Sequence, residues 1–282
     1  MAGGDPMGAF DQTKSHGRDQ REGAAAREQD GSVPGTEDLG AEAALVDVAL
    51  SDEAPSARLG AVKRTQTATA LVRIATASSN AQVAKAALRK LDDGPALATV
   101  AEGAALRAIG QLAVAKISDA SLLARVAQRG ADAMVAKTAV KKIGDQQLLA
   151  EVAQADVDPL VSKTAVKLLT DQDLLSDVLK REASPEVRRL TVDKTTDEQT
   201  LAALACSDDD DDLRASAIAR LTHQGLLAQV ATQAASPASR LQAIGQLREG
   251  KVLARIAKSD DHRGVRTDAI ERLRSQRLLA DV

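Results

Sequence analysis

The chain has 282 residues, of which 44% are hydrophobic and 27% are charged, and its formal net charge is −3. It contains one Phe, no Tyr and no Trp, which disfavours β-sandwiches and barrels and removes the rings on which single-stranded nucleic acids stack. The single cysteine, Cys206, excludes an internal disulfide and a cysteine-rich zinc site, and no apolar run is long enough to predict a transmembrane helix.

Residues 1–43 are predicted to form a disordered acidic tail. They hold eight of the 18 glycines, and nine acidic and four basic residues give them a net charge of −5. Such a segment buries too little apolar area to offset the entropy lost on ordering. The only aromatic residue, Phe10, lies here. Two interpretations stay open: an interaction motif or regulatory acidic arm around Phe10, and a solvated leader with no role of its own.

From Ala44 onward the sequence repeats every 26 residues without insertion or deletion. Full copies begin at residues 44, 70, 96, 122, 148, 174, 200, 226 and 252, and a tenth copy stops at Val282. Position 2 is always Leu, position 5 is Val, Ile or Leu, and position 6 is Ala in every full copy except one, where it is Leu179. These positions predict a short first helix with one apolar face. Five of these helices have an Asp just before them that can act as the N-cap: Asp93, Asp119, Asp145, Asp171 and Asp197.

A second helix is predicted in the other half of each unit. Position 12 is Pro in four units, at Pro55, Pro159, Pro185 and Pro237, and a capping Asp or Ser precedes three of these. Apolar residues follow at positions 14, 18, 19 and 22, which is a helical spacing and not a strand alternation. One such pair of helices cannot bury its apolar stripe alone, but nine stacked pairs can. The sequence therefore predicts an all-α solenoid over residues 44–282, with a core that needs nothing wider than Leu.

Two units depart from the repeat pattern. The third unit lacks the Pro and has Ile109 and Gly110 at positions 14 and 15, and the sixth has Thr191 and Thr195 at positions where Ala and Leu or Ile prevail. Both are predicted to be soft spots or bends. The last unit has no polar capping repeat after it, although solenoids need one to cover the final core face. We therefore expect either that the native protein continues or that this end stacks on something.

The run Ser184-Pro185-Glu186-Val187-Arg188-Arg189 resembles the start of the second helix in bacterial short HEAT-like repeats. Weaker versions occur around Asp158-Pro159 and Val265-Arg266, and the resemblance covers residues 44–282. It implies an α-solenoid of nine helical hairpins plus a partial tenth, and it implies almost nothing about activity. The leucine-rich variant repeat has a similarly short unit, but the length of the second helix favours the HEAT-like class.

The charges of the predicted solenoid are sorted by repeat position. Positions 15, 16, 20 and 21, all on the second helix, carry 20 of the 33 basic residues and only two acids, Asp193 and Glu271. Stacking turns a repeated position into a stripe, and in HEAT-like solenoids the second helix usually lines the concave surface. The residues predicted to bind a partner are Lys85, Arg89, Lys137, Lys141, Lys163, Lys167, Arg188, Arg189, Arg214, Arg240 and Arg266. Positions 20 and 21 also fit a structural explanation, because cations stabilise helix C-termini, whereas positions 15 and 16 lie near the helix start.

No catalytic or metal-binding motif stands out. His223 and His262 have no ligand spacing, and Cys206 is interpreted as a structural residue because no histidine lies at a suggestive spacing. The acidic run Asp208 to Asp212 lacks the alternating ligands and the glycine of a calcium loop, and is predicted to be a solvated loop that caps the next helix. We expect no cofactor.

Three functional hypotheses remain. The first is a non-enzymatic, cytoplasmic scaffold or adaptor that binds another protein along the partly basic solenoid surface. The second is sequence-independent binding of nucleic-acid backbone or another polyanion through the same stripe. The third is a HEAT-like enzyme, such as a chromophore lyase or a base-excising glycosylase, but the sequence indicates no pocket of the kind these need. A membrane partner is not expected, and end-to-end self-association or a further C-terminal domain stays open.

Overall fold

The computed structural model describes residues 36–155, 157–180 and 184–280, with side chains between residues 40 and 274, and in these ranges the chain forms eighteen α-helices and no strand. The helices are α1 (Thr36–Leu50), α2 (Pro55–Arg64), α3 (Ala68–Ala77), α4 (Ala81–Arg89), α5 (Gly94–Gly103), α6 (Arg107–Lys116), α7 (Ala120–Arg129), α8 (Ala133–Val140), α9 (Gln146–Gln154), α10 (Pro159–Leu168), α11 (Gln172–Lys180), α12 (Pro185–Lys194), α13 (Glu198–Ser207), α14 (Asp211–Arg220), α15 (Gln224–Gln233), α16 (Pro237–Gln246), α17 (Gly250–Ser259) and α18 (Arg263–Ala280).

The helices form two layers. Odd-numbered helices are the first helices of successive units and even-numbered helices are the second helices. Each first helix packs on the second helix of its own unit, and second helices pack on the second helices of the neighbouring units. Contacts are therefore local along the chain, as in a helical solenoid. The predicted all-α solenoid of helix pairs is confirmed.

The helices begin where the capping residues predicted. The side chains of Asp93, Asp119 and Asp145 accept hydrogen bonds from backbone N–H groups in the first turns of α5, α7 and α9. Helices α2, α10, α12 and α16 begin at the four position-12 prolines. Proline suits the first helical position because its missing N–H would have had no partner there.

Two boundaries differ from the prediction. α1 begins at Thr36, so residues 36–43, predicted to be disordered, form the start of a helix. Glu42 in this segment accepts hydrogen bonds from the backbone N–H of Gln66 at 2.8 Å and from Thr67 Oγ1 at 3.1 Å, which ties α1 to the next linker. The rest of the predicted tail, with Phe10, lies outside the described residues. At the other end α18 runs on to Ala280 without a linker, because Leu273 to Gln276 contain no Pro, Gly or Asp to stop the helix.

The core consists of Leu, Val, Ile and Ala at the predicted positions. In the fourth unit, for example, Val135, Ala139, Val140 and Ile143 are all at most 4% exposed. Position-6 alanines such as Ala101 and Ala127 are buried where neighbouring first helices meet. Because the helices are packed through small side chains and lie close together, the core has no space that needs an aromatic ring.

Amide and carboxylate side chains at helix starts also accept hydrogen bonds from the linker of the next unit. We call this series of hydrogen bonds the ladder. The Oε1 atom of Gln146 accepts hydrogen bonds from the backbone N–H groups of Thr170 at 2.7 Å and Asp171 at 3.3 Å, in the linker one unit further along. The residue two positions before a copy begins, which is position 25 of the repeat, is used in the same way at Glu42, Gln172, Glu198 and Gln224. Because linker amides have no helical partner, this ladder satisfies them and aligns neighbouring units.

The apolar core is divided into two parts at the sixth unit. One buried cluster runs from Val46 to Val187, and a second runs from Leu179 to Ala269. Fully buried hydroxyl groups lie at the division, where Thr191 and Thr195 donate to the backbone carbonyls four residues earlier at 2.7 and 2.8 Å. The interruption of the core agrees with the predicted soft spot.

Helices α11 and α13 are held apart at the same place. Most of the other successive pairs of first helices pack together, but α11 and α13 make almost no direct contact. A cleft of about 480 Å³ separates them, lined by Ser176, Leu179, Lys180, Arg188, Gln199, Thr200, Ala203, Leu204, Ser207 and Asp208. Leu179 lines this cleft and stands where every other full unit has an alanine, so its larger side chain fits the wider spacing; α15 and α17 also make little contact although both have the alanine.

Acid is expected to destabilise the solenoid. The pKa values of Asp132, Asp197 and Glu198 are held below their usual values, chiefly by hydrogen bonds from the side chains of Arg107, Thr200 and Thr222 respectively. A carboxyl whose pKa is lowered by folding contributes stability above its unfolded pKa, and this stability is lost as the pH falls through the folded pKa. We expect the thermal midpoint, followed by circular dichroism, to be level near neutral pH and to fall below about pH 4. Glu198→Gln should shallow this fall, and a midpoint that stays level in acid would contradict the assignment.

Candidate functional site

The predicted basic stripe consists of four structurally different groups. They differ in what the cationic side chain contacts: carbonyl groups of the preceding unit, loops between the two helices of a unit, a carboxylate on the next second helix, or solvent. Only the last group has its charge available for a partner.

The cations at position 21 cap the preceding second helix. Nζ of Lys142 donates to the carbonyl oxygens of Val114, Ala115 and Ile117 at 2.9, 2.9 and 2.6 Å. These carbonyls lie at the C-terminal end of α6 and at its C-cap, where the regular helical hydrogen bonds run out. The residues that cap in this way are Lys90, Lys116, Lys142, Lys194 and Arg220. At position 21 the structural explanation is therefore the one observed, and burial lowers the pKa of the Lys194 ammonium group.

The position-15 arginines hold the loops between helices. Nε of Arg240 donates to Oδ2 of Asp260 in the next unit at 2.8 Å, and its Nη1 donates to the carbonyl oxygen of Ala234 at 2.9 Å. Their side chains are only 12% and 8% exposed for Arg240 and Asp260. Arg266 donates to the carbonyl oxygens of Asp260 and Asp261 at 2.7 and 3.0 Å.

The sixth and seventh units repeat this arrangement. Arg188 is paired with the buried carboxylate of Asp208, and Arg214 donates to the carbonyl oxygen of Asp208 and to the carboxylate of Asp211. The guanidinium groups of Arg188, Arg214, Arg240 and Arg266, predicted to bind a partner, are thus engaged within the chain. The acidic run supplies the partners of Arg188 and Arg214, and Asp210 within it caps α14 as predicted.

Arg189, at position 16, is exposed but also paired. It contacts the carboxylate of Asp212 on the next second helix, and the two side chains are 52% and 77% exposed. Exposed pairs of this kind contribute little to stability. The pair does cancel the positive charge of the stripe at this point.

The remaining six predicted residues form a surface that we call the basic face. It comprises Lys85 and Arg89 on α4, Lys137 and Lys141 at α8, and Lys163 and Lys167 on α10. All six are exposed or half-buried, and within the described residues their side chains form no ion pair and donate no hydrogen bond. Helices α4, α6, α8 and α10 contain no Asp or Glu. These positive charges are therefore not neutralised on their own helices.

Large apolar side chains lie among these cations. Leu112 on α6, Met134 on α8, and Leu160 and Leu168 on α10 are 36–40% exposed. They are four of the six most exposed large apolar side chains between residues 40 and 274, and they fall on three successive second helices. Uncompensated positive charge attracts acidic partners, and the exposed apolar groups beside it offer contacts to a partner's apolar side chains.

Other candidate chemistry is not brought together. No group of three or more His, Cys, Asp or Glu side chains between residues 40 and 274 is placed to hold a metal ion. Cys206 is half-buried, and burial raises the pKa of its thiol, which disfavours the reactive thiolate. His223 accepts a hydrogen bond at Nδ1 from the backbone N–H of Leu226 at the start of α15.

Helical geometry separates the exposed cations from those that are engaged within the chain. Position 15 lies one turn before the buried position 19, so its side chain points into the interior, whereas positions 16 and 20 are one turn apart on the outer face. This signal is present in the sequence. The position-25 ladder has no such signal, because a Gln or Glu at a helix start has many possible roles.

Comparison of the chain with known proteins gives no family. No model of a known protein family matches it. No curated protein matches it. Among the helices that the structure describes, none has the length and apolar character needed to cross a membrane.

Proposed function

We propose that this chain is a non-enzymatic scaffold or adaptor of the short HEAT-like type, which binds an acidic segment of another protein on the basic face. The observation that carries the proposal is a set of six cations on α4, α8 and α10 that form no ion pair within the described residues, on helices that, like the intervening α6, contain no Asp or Glu. Charged surfaces of this kind attract and orient oppositely charged partners. The exposed apolar side chains between the cations favour a protein segment over a phosphate backbone.

The spacing of the helices suggests a suitable probe. Neighbouring helices lie about 8–10 Å apart, and an extended polyproline-II chain advances about 9 Å in each turn of three residues. A peptide of repeated Glu-Leu-Glu triplets therefore presents its side chains with the periodicity of the units. An all-Glu peptide of equal length measures the electrostatic contribution alone.

We expect the full chain to bind the labelled Glu-Leu-Glu peptide with an affinity that falls as salt rises. The variant Lys137→Glu/Lys141→Glu/Lys163→Glu/Lys167→Glu should lose at least about a hundredfold in affinity, because like charges then oppose each other. Fluorescence anisotropy at several salt concentrations measures both effects.

A matched control moves the same four charges to the other layer. Arg73, Arg129, Lys251 and Arg255 are exposed cations on first helices, and reversing them to Glu changes the net charge equally. This control should bind the peptide as the wild type does. Equal losses in the two variants, or no binding by the wild type at low salt, would refute the proposal.

The second candidate function is binding of duplex nucleic acid or another polyanion through the same cations. The absence of acids on α4, α6, α8 and α10 favours it, and counterion release would supply the affinity. Met134→Ser/Leu160→Ser separates the two candidates. A protein-binding face should lose affinity for the Glu-Leu-Glu peptide, whereas a polyanion-binding face should hold duplex DNA equally well with and without the substitutions.

A further inference from the structure

The basic face contains an open pocket between α4 and α6. Its volume is about 370 Å³, and its lining residues are Lys85, Leu88, Arg89, Leu112, Ala115 and Lys116. Leu88 is buried, whereas Leu112 is 40% exposed at the edge of the pocket. The pocket therefore has an apolar floor and a cationic rim.

The sequence of the third unit explains why a hollow exists here. Position 20 carries Lys in the first, fourth and fifth units, at Lys63, Lys141 and Lys167, but is Ala115 in the third unit. The small side chain leaves the space that a lysine would cover. Leu112, three residues earlier on the same helix, supplies an apolar wall.

The three cations of the pocket are not equivalent. Lys116 is held by the carbonyl oxygens of Leu88 and Leu91 and by the carboxylate of Asp92, with Nζ to Oδ1 at 2.9 Å. Lys85 and Arg89 form no ion pair within the described residues. An occupant can therefore place an acidic group against Lys85 or Arg89.

We propose that this pocket is the anchor point of the basic face, and that it takes a leucine- or phenylalanine-sized side chain flanked by acidic residues from a partner protein. The inference rests on the proposed function and adds the site that holds the partner's apolar side chain. Apolar side chains that fill well-packed pockets contribute strongly to the energy of an interface, and the surrounding charges steer the approach and disfavour partners of like charge. The uncompensated charge of Lys85 and Arg89 beside an apolar floor selects an acidic apolar segment.

The decisive variant adds a positive charge at the pocket, and we expect it to bind the acidic Glu-Leu-Glu peptide more weakly. Ala115→Lys fills the hollow with the residue that three other units carry at this position. If the pocket is an anchor, the Glu-Leu-Glu peptide should bind about tenfold more weakly to this variant, since one large apolar side chain loses its site. The all-Glu peptide should bind as well as before or better. Tighter binding of both peptides would overturn the proposal that this pocket is the anchor point.

Two further variants separate failure of the pocket from failure of the basic face. Leu112→Ser should weaken binding of the Glu-Leu-Glu peptide, whereas Ile270→Ser, which changes an equally exposed residue on α18, should not. If Leu112→Ser has no effect while the fourfold Lys→Glu variant still abolishes binding, the face is correct and the pocket is not. A shift of the Leu112 methyl signals on Phe10→Ser would instead identify the chain's own N-terminal segment as the occupant and would overturn the assignment to a partner.

Discussion

Replacing Asp260 with Ala is expected to lower the free energy of unfolding by about 3 kcal/mol, because it leaves the buried guanidinium of Arg240 without its charged partner. Burial alone would raise the pKa of Asp260, but hydrogen bonds from Arg240 and from the backbone N–H of His262 outweigh it and keep the pKa below its usual value. The carboxylate is therefore charged at neutral pH and held by both groups. Urea denaturation followed by circular dichroism measures the loss.

Two variants test whether burial of the pair causes this effect. Asp177→Ala removes the partner of Lys180 in a pair whose side chains are 56% and 68% exposed, and it should cost less than about 0.5 kcal/mol. The double variant Arg240→Met/Asp260→Leu should recover most of the lost stability, since it removes both charges together. A loss from Asp260→Ala no larger than that from Asp177→Ala would show that the pair does not hold the loop.

The second large effect is expected from Gly110→Arg. Position 15 is Arg in five units, but at Gly110 even an added Cβ would lie 2.9 Å from Cγ2 of buried Val135. Asp260, the partner of Arg240, occupies position 9 of the following unit. The unit that follows Gly110 has Gly130 at position 9, so the new guanidinium would have no carboxylate partner there. Overpacking together with an unpaired buried charge should cost at least about 3 kcal/mol.

The neighbouring residue provides the control. Gln111 occupies position 16, where Lys85, Lys137, Lys163 and Arg189 stand in other units. Gln111→Arg should change stability by less than about 0.5 kcal/mol and should extend the positive charge of the basic face onto α6. If the two variants unfold at the same urea concentration, position 15 is not interior in the third unit.

The sequence was sufficient for the parts of the fold that the repeat itself determines. In a solenoid each position has the same neighbours in every unit, so one period defines the buried set, and Val135 and Ala139 lie where it predicts. Leu179 was visible as the single exception at position 6, and the structure places it in the cleft between α11 and α13. Helix starts followed the same logic, because an Asp cap or a Pro acts within one turn.

The candidate site was only partly predictable. Counting charges by position identified the basic stripe but could not tell an unpaired lysine from one that caps a helix. That distinction depends on whether a side chain can contact the neighbouring unit, as Lys142 Nζ contacts the carbonyl oxygens at the end of α6. Contacts between residues that are 20 to 28 positions apart, such as Arg240 with Asp260, need the stacked arrangement before they can be seen. The basic face can therefore be recognised only after the cations that cap helices or hold loops have been identified in the structure.

The division of the core at the sixth unit has a mechanical consequence. A rod whose interior is continuous resists bending evenly, whereas a rod interrupted at one section bends there first. Because α11 and α13 are separated by a cleft and the interior around Thr191 is polar, we expect this section to be more compliant than the rest, although the second helices stay packed across it. All of the basic face lies on the N-terminal side of it. A partner bound to the basic face would contact only the segment before the sixth unit. The segment after it could then change its orientation relative to the bound partner by bending at this one section.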